Sequence, residues 1–124
     1  METPRITFDI DAARHLIVVT VVGDVGGTDY ERFARALARD HAGVMGYRRL
    51  YDLRDYVGTV SHTDVSRMND MVLRETGVAP SEAVVVTRDR GFALWARAME
   101  ATLAPPRRIR VVPTMEEAWA LLAG

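Results

Sequence analysis

The chain of 124 residues contains no cysteine. A disulfide framework, a thiolate metal site and a thiol nucleophile are therefore excluded. Lysine is absent as well, so all 16 basic residues are arginine. No Schiff base, lysine general base or P-loop lysine is available. An all-arginine basic set is what a high-GC genome gives, and a bacterial source is expected. Long apolar runs are missing too. The longest, Leu16 to Val22, is interrupted by Thr20 and falls far short of the ~20 residues that span a bilayer. Met1 to Ile10 alternates polar and apolar residues without an apolar h-region. A cytoplasmic location without membrane insertion is expected. Charge of one sign does not dominate: 16 basic and 17 acidic residues are well mixed and give a net charge of −1. That is no polyanion-binding face, and no nucleic-acid partner is expected.

What is present is a regular alternation of strand and helix patterns. The length suits a single domain over 1–124, large enough to bury about two-thirds of the surface its unfolded form exposes. Arg5 to Ile10 alternates with period two, and Leu16 to Val22 is nearly continuous and β-branched, as a strand buried on both faces should be. Only Asp11 to His15 separates them, so they are expected to form an antiparallel hairpin. A helix follows over about Asp29–His41, with Thr28 and Glu31 at capping-box spacing and Tyr30, Phe33, Ala34 and Leu37 on one face. Further strands are expected at Tyr47–Leu53, Ala83–Thr87 and Ile109–Val112. A second helix is expected over about Thr63–Thr76, with Gly77 as its stop. A third covers about Gly91–Leu103, ended by Pro105-Pro106, and a fourth starts at Thr114, again with capping-box spacing to Glu117. The order is ββαβαβαβα. It implies an α/β fold with a five-stranded mixed sheet, an N-terminal antiparallel hairpin and about four helices.

In open α/β sheets ligands bind beyond the carboxyl ends of the parallel strands. That rule selects Asp24, Asp52, Arg54, Asp55, Thr87 and Arg88, with Pro113-Thr114, as a candidate rim. Gly23 to Gly27 invites a phosphate-loop reading, but it matches neither GxGxxG nor GxxxxGK[ST], and a turn needing positive φ is the plainer account. Asp24, Asp52 and Asp55 could hold a hard cation. Alternatively, Asp52 and Asp55 pair with Arg54, Arg48 or Arg88, or cap turns. A receiver-type acidic site is disfavoured because its lysine is missing. His15, His41 and His62 share no metal-ligand spacing. Ser61, His62 and Thr63 precede the second helix, where N-capping is the ordinary role and a phosphorylatable hydroxyl the sharper one. Met68, Met71, Phe92 and Trp95 are either core or the lining of an apolar pocket between the second or third helix and the sheet. Leu94 and Ala98 should point away from the Phe92–Trp95–Met99 face, and an exposed stripe there would suit a homodimer or partner surface.

The ββαβαβαβα order, the strand Leu50-Tyr51-Asp52 followed by a variable loop and helix, and Val84-Val85-Val86-Thr87 leading into a helix resemble the SpoIIAA-like, STAS-related family. The resemblance covers nearly the whole chain and rests on topology and hydrophobic pattern. It implies a regulatory or binding module, usually without enzymatic activity. Antagonist members of the family carry a phosphorylatable serine in an Asp-Ser-Ser-Gly motif after the third strand. Here the segment reads Asp55-Tyr56-Val57-Gly58-Thr59-Val60-Ser61, so the motif is absent and Ser61 is the positional match. Related stand-alone members, labelled STAS/SEC14-like, hint at lipid or other apolar ligands.

Three readings of function follow. The leading one is a non-enzymatic regulatory or protein-interaction module that needs no cofactor and docks a protein partner through the loop before the second helix. The second is a carrier of a small apolar molecule or lipid. The third is a metal-dependent hydrolase using the strand-end aspartates.

Overall fold

Branched side chains on both sides of the Leu16–Val22 run favour an extended strand that is covered on both faces, and the fold is built around it. The computed structural model describes residues 3–78, 82–103 and 107–123. Strand β1 (Arg5–Asp11) pairs antiparallel with β2 (Leu16–Gly23). The hairpin turns at His15, which adopts φ 51°, while its ring lies 5.0 Å from that of Tyr47. Helix α1 (Gly27–Asp40) and a short 3-10 turn (Ala42–Val44) lead to β3 (Arg48–Tyr56). Helix α2 (His62–Thr76), β4 (Glu82–Val86), α3 (Phe92–Thr102), β5 (Arg108–Val112) and α4 (Met115–Leu122) complete the order. The expected mixed five-stranded sheet with its N-terminal hairpin is therefore the observed one.

The strands lie side by side in chain order, and β2 to β5 are all parallel. Successive right-handed crossovers stepping in one direction put their helices on one face. Alternation along the strands shows this directly. Ile17, Val19 and Val21 pack with Phe33 and Leu37 of α1 and with Met68 and Val72 of α2. Met99 and Leu103 of α3 pack with Val65 of α2 and with Ile109 of β5. The other face of the sheet, through Leu16, Leu50, Val84 and Val86, is closed by Ala118 and Leu122 of α4. Near the amino ends of its strands, Glu82 sits between Arg110 at 2.7 Å and Arg48 at 3.9 Å.

The helix ends refine the sequence reading. Helix α1 starts earlier than expected, and Thr28 lies inside it. Gly26 is its N-cap, and the Gly26 N–H donates to Asp29 Oδ2 at 3.1 Å. Asp29 thus satisfies the N–H of Gly26, and no side-chain oxygen at the N-cap accepts from the first turn. Helix α2 starts at an N-capping Ser61, and Gly77 stops it in the left-handed region at φ 74°. Thr114 caps α4 by accepting from the Glu117 N–H at 3.2 Å. Strand β3 runs three residues past its expected end, because a bulge between Thr20 and Val22 lets the β2–β3 ladder continue to Gly23 and Tyr56. Pro105 and Pro106, expected to end α3, lie outside the described residues.

Candidate functional site

The structure brings Asp52, Arg54 and Arg88 near one another at the strand ends. Asp52 is held by its near neighbour: Arg54 Nε and Nη2 donate to its two carboxylate oxygens at 2.9 and 2.8 Å. The fork from Arg54 keeps the Asp52 carboxyl below the usual carboxylate range, against the opposing effect of partial burial, and Arg88 adds a weaker attraction. Thr87 is buried, and its hydroxyl accepts from the Asp89 N–H at 3.1 Å, which shapes the turn into α3. Asp24, Asp55 and Arg88 are exposed. Among the described residues, no group of three or more histidine or acidic side chains could hold a metal ion, so Asp24, Asp52 and Asp55 do not form the cation site considered from the sequence. The strand order runs in sequence from β1 to β5, without the reversal that usually places such a crevice.

Space lies between the sheet and the layer of α1, α2 and α3, and the segments after β2, β3 and β4 reach it with Val25, Gly58 and Asp89. It is a cavity of about 450 Å³, walled by Val19, Val21 and Tyr51 of the sheet, Phe33 of α1, Val65 of α2 and Trp95 of α3. Phe92 also lines it and stacks on Trp95 with ring centroids 4.9 Å apart. Met68 and Met71 do not. The register of α2 turns Val65 to the cavity and buries both methionines in the adjoining core with α1 and β2. A well-packed core tolerates few voids. The cavity is therefore a place for water or for a ligand.

Its rim is a tethered loop. After β3 the chain returns across the β2–α1 connection: the Val57 N–H donates to the Gly23 carbonyl and the Thr59 N–H to the Val25 carbonyl, each at 3.1 Å. The Val60 N–H donates to Tyr56 Oη at 2.9 Å. Gly58 and Val60 line the cavity, while Val57 is 73% exposed. The loop ends at Ser61, whose hydroxyl accepts from the Asp64 N–H at 3.1 Å while its own N–H donates to Asp64 Oδ2 at 2.9 Å. Ser61 is exposed and thus both a helix cap and reachable from solvent. On the opposite wall, His62 Nε2 lies 3.1 Å from the Trp95 carbonyl oxygen, joining α2 to α3. Leu94 on the outer side of α3 is 72% exposed, and Ala98 is exposed as well.

A second, smaller hollow of about 30 Å³ adjoins the cavity and shares Tyr30, Phe33, Tyr51 and Arg107 with it. Arg49 lies at this hollow and is only 4% exposed. The Tyr30 hydroxyl is held above its ordinary pKa, first by burial and then by Tyr51, while Arg107 and Arg49 oppose the shift. Burial also raises Tyr56. The arginine–tyrosine cluster was not singled out from the sequence. Its readable signal is phase: Arg49, Tyr51 and Leu53 alternate onto one face of β3, so an arginine points where apolar residues should.

No protein-family model and no curated protein matches the chain. Solved structures do. An uncharacterised DUF3478-family protein with a SpoIIAA-like fold from Shewanella loihica PV-4 superposes with a TM-score of 0.71 at 15% identity, covering 98% of this chain and 97% of that one. The phosphorylated form of the Bacillus cell fate determinant SpoIIAA superposes with a TM-score of 0.54 at 13% identity, covering 94% of this chain and 99% of that one. With nearly full coverage of both chains, the superposition shows that the chain has a SpoIIAA-like fold.

Proposed function

We propose that this chain is a non-enzymatic regulatory module that takes a small apolar ligand and presents a protein-docking face beside it. The observation that carries the reading is the 450 Å³ cavity, with aromatic and branched walls and the Gly58–Val60 segment among its lining. Pockets of a few hundred Å³ with mainly apolar walls are the usual form of small-molecule sites. The expected docking face, the loop into α2, thus shares its residues with the cavity. Filling the cavity would fix that loop, and the exposed Val57 with it. The strand-end aspartates offer no comparable catalytic set, since Asp52 is already engaged by Arg54.

The two solved relatives support a module of this architecture, and one of them is a cell fate determinant captured in phosphorylated form. Phosphorylation of Ser61 is a compatible second layer of control: the residue is exposed and stands at a helix N-terminus, where a phosphate is electrostatically favoured. Asp64 beside it would oppose the added charge.

The test uses the two tryptophans, of which Trp95 lines the cavity and Trp119 of α4 packs on the other face of the sheet. In a Trp119→Phe protein, octanol and the neutral dye Nile red should each change Trp95 fluorescence saturably. Native mass spectrometry of freshly purified protein should show a co-purified small molecule. A protein that is empty by mass and indifferent to both probes would overturn the reading.

A further inference from the structure

Arg49 is a cation held inside the protein without an anionic partner among the described residues. It is 4% exposed, and its hydrogen bonds run from Nη2 to the Met45 carbonyl at 3.3 Å and to the Met45 sulfur at 3.9 Å. Its Nε is buried without a partner, as is the Nε of Arg107. Both arginines line the small hollow, with Tyr30 and Tyr51. Among the described residues no carboxylate lies within ion-pair distance of either guanidinium. Asp64, which acts on Tyr30 from a distance, is occupied by the Ser61 N–H and lies 3.8 Å from Arg67. Asp89 lines the larger cavity but not the hollow. Burying an unpaired charge is among the costliest things a fold can do. Two such donors facing one hollow make sense if an anion belongs there.

We propose that the hollow is the seat of a ligand carboxylate, and that the protein therefore selects amphipathic carboxylates with a medium-length apolar body. The inference rests on the apolar-cavity reading above and adds the head group to it. Hollow and cavity share Tyr30, Phe33, Tyr51 and Arg107, which puts a head group in one beside an apolar body in the other. At about 30 Å³ the hollow has room for roughly two oxygen-sized centres, the count a carboxylate brings. A guanidinium presents paired N–H groups suited to that planar anion, and the phenols of Tyr30 and Tyr51 are further donors.

The experiment compares octanoate with octanol, equal in chain length and different in charge, by Trp95 fluorescence in the Trp119→Phe protein at neutral pH. Octanoate is expected to bind at least tenfold more tightly. Arg49→Met, at a residue that lines the hollow and not the cavity, should cost octanoate at least tenfold and leave octanol within about twofold, and Arg107→Met should cost octanoate far more than octanol. Arg49→Met should also melt at or above the parent temperature without ligand, because a buried unpaired charge gives way to an apolar chain of similar length. Should it fail to fold, the half-buried Arg107 carries the same comparison. Equal binding of both probes, or octanoate binding that survives both substitutions, overturns the carboxylate seat and leaves the apolar cavity standing. Binding of neither probe overturns the cavity reading, and the seat with it.

Discussion

The Tyr56 hydroxyl accepts a hydrogen bond from the Val60 N–H at 2.9 Å and so pins the loop that rims the cavity to the strand that precedes it. Removing that oxygen leaves a partly buried N–H unsatisfied. Tyr56→Phe should lower stability by about 1 kcal/mol in urea titrations. Amide exchange at Val60 should speed up while exchange in β2 and β4 stays unchanged. Unaltered protection at Val60 would show that the loop is held without this bond.

Gly58 is required by close approach. A Cβ at this position would overlap the Val25 carbonyl and meet the Tyr56 ring. Gly58→Ala must push the loop off the β2–α1 connection, at a cost of about 1–3 kcal/mol. The control is Gly43→Ala, where a Cβ meets nothing within 4 Å. Equal urea midpoints for the two variants would contradict this account.

Ser61 combines two roles that substitution separates. Ser61→Ala removes the cap from α2 and should cost about 1 kcal/mol. Ser61→Asp keeps a capping oxygen and should stay within a few tenths of the parent while adding charge. If the residue is a switch, the aspartate variant alone should change capture of a protein partner from extract. Equal effects of the two variants on capture, in proportion to lost stability, would leave only the cap.

The Asp52–Arg54 pair predicts a pH dependence. The folded-state pKa of Asp52 is depressed, chiefly by the hydrogen bond from Arg54. Its stabilising contribution is therefore complete above the ordinary aspartate range and is lost as pH falls through the depressed folded value. The urea midpoint of the parent should exceed that of Asp52→Asn at pH 7, and the gap should close as acid protonates the pair. A gap that stays constant from neutral to acid pH would mean that Asp52 does not titrate with folding.

Much of the fold is legible in the residues. The Leu16–Val22 run declares a strand covered on both faces, the short Asp11–His15 connection permits only a hairpin, and Gly77 and Thr114 mark helix ends that the structure places where chain chemistry requires. The start of α1 is less legible, because its N-cap Gly26 has no side chain to signal a cap and donates its own N–H to Asp29. Phe92 and Trp95 read as either core or lining, and only the packing of α3 separates them from Met68 and Met71.

By itself the sequence determined the mixed α/β architecture and the chemistry that is missing, since hydrophobic period, chain connectivity and residue content are local properties. The tertiary structure decided where the space lies. The space runs from the sheet face to the segments after β2, β3 and β4, where Val25, Gly58 and Asp89 line it, while Asp24, Asp52, Asp55, Thr87 and Arg88 stand outside its lining. Three helices stacked on one face leave a gap above the sheet, and β3 turns Arg49 into the hollow beside it. Such a gap arises from how elements far apart in the chain meet, and no single segment encodes it.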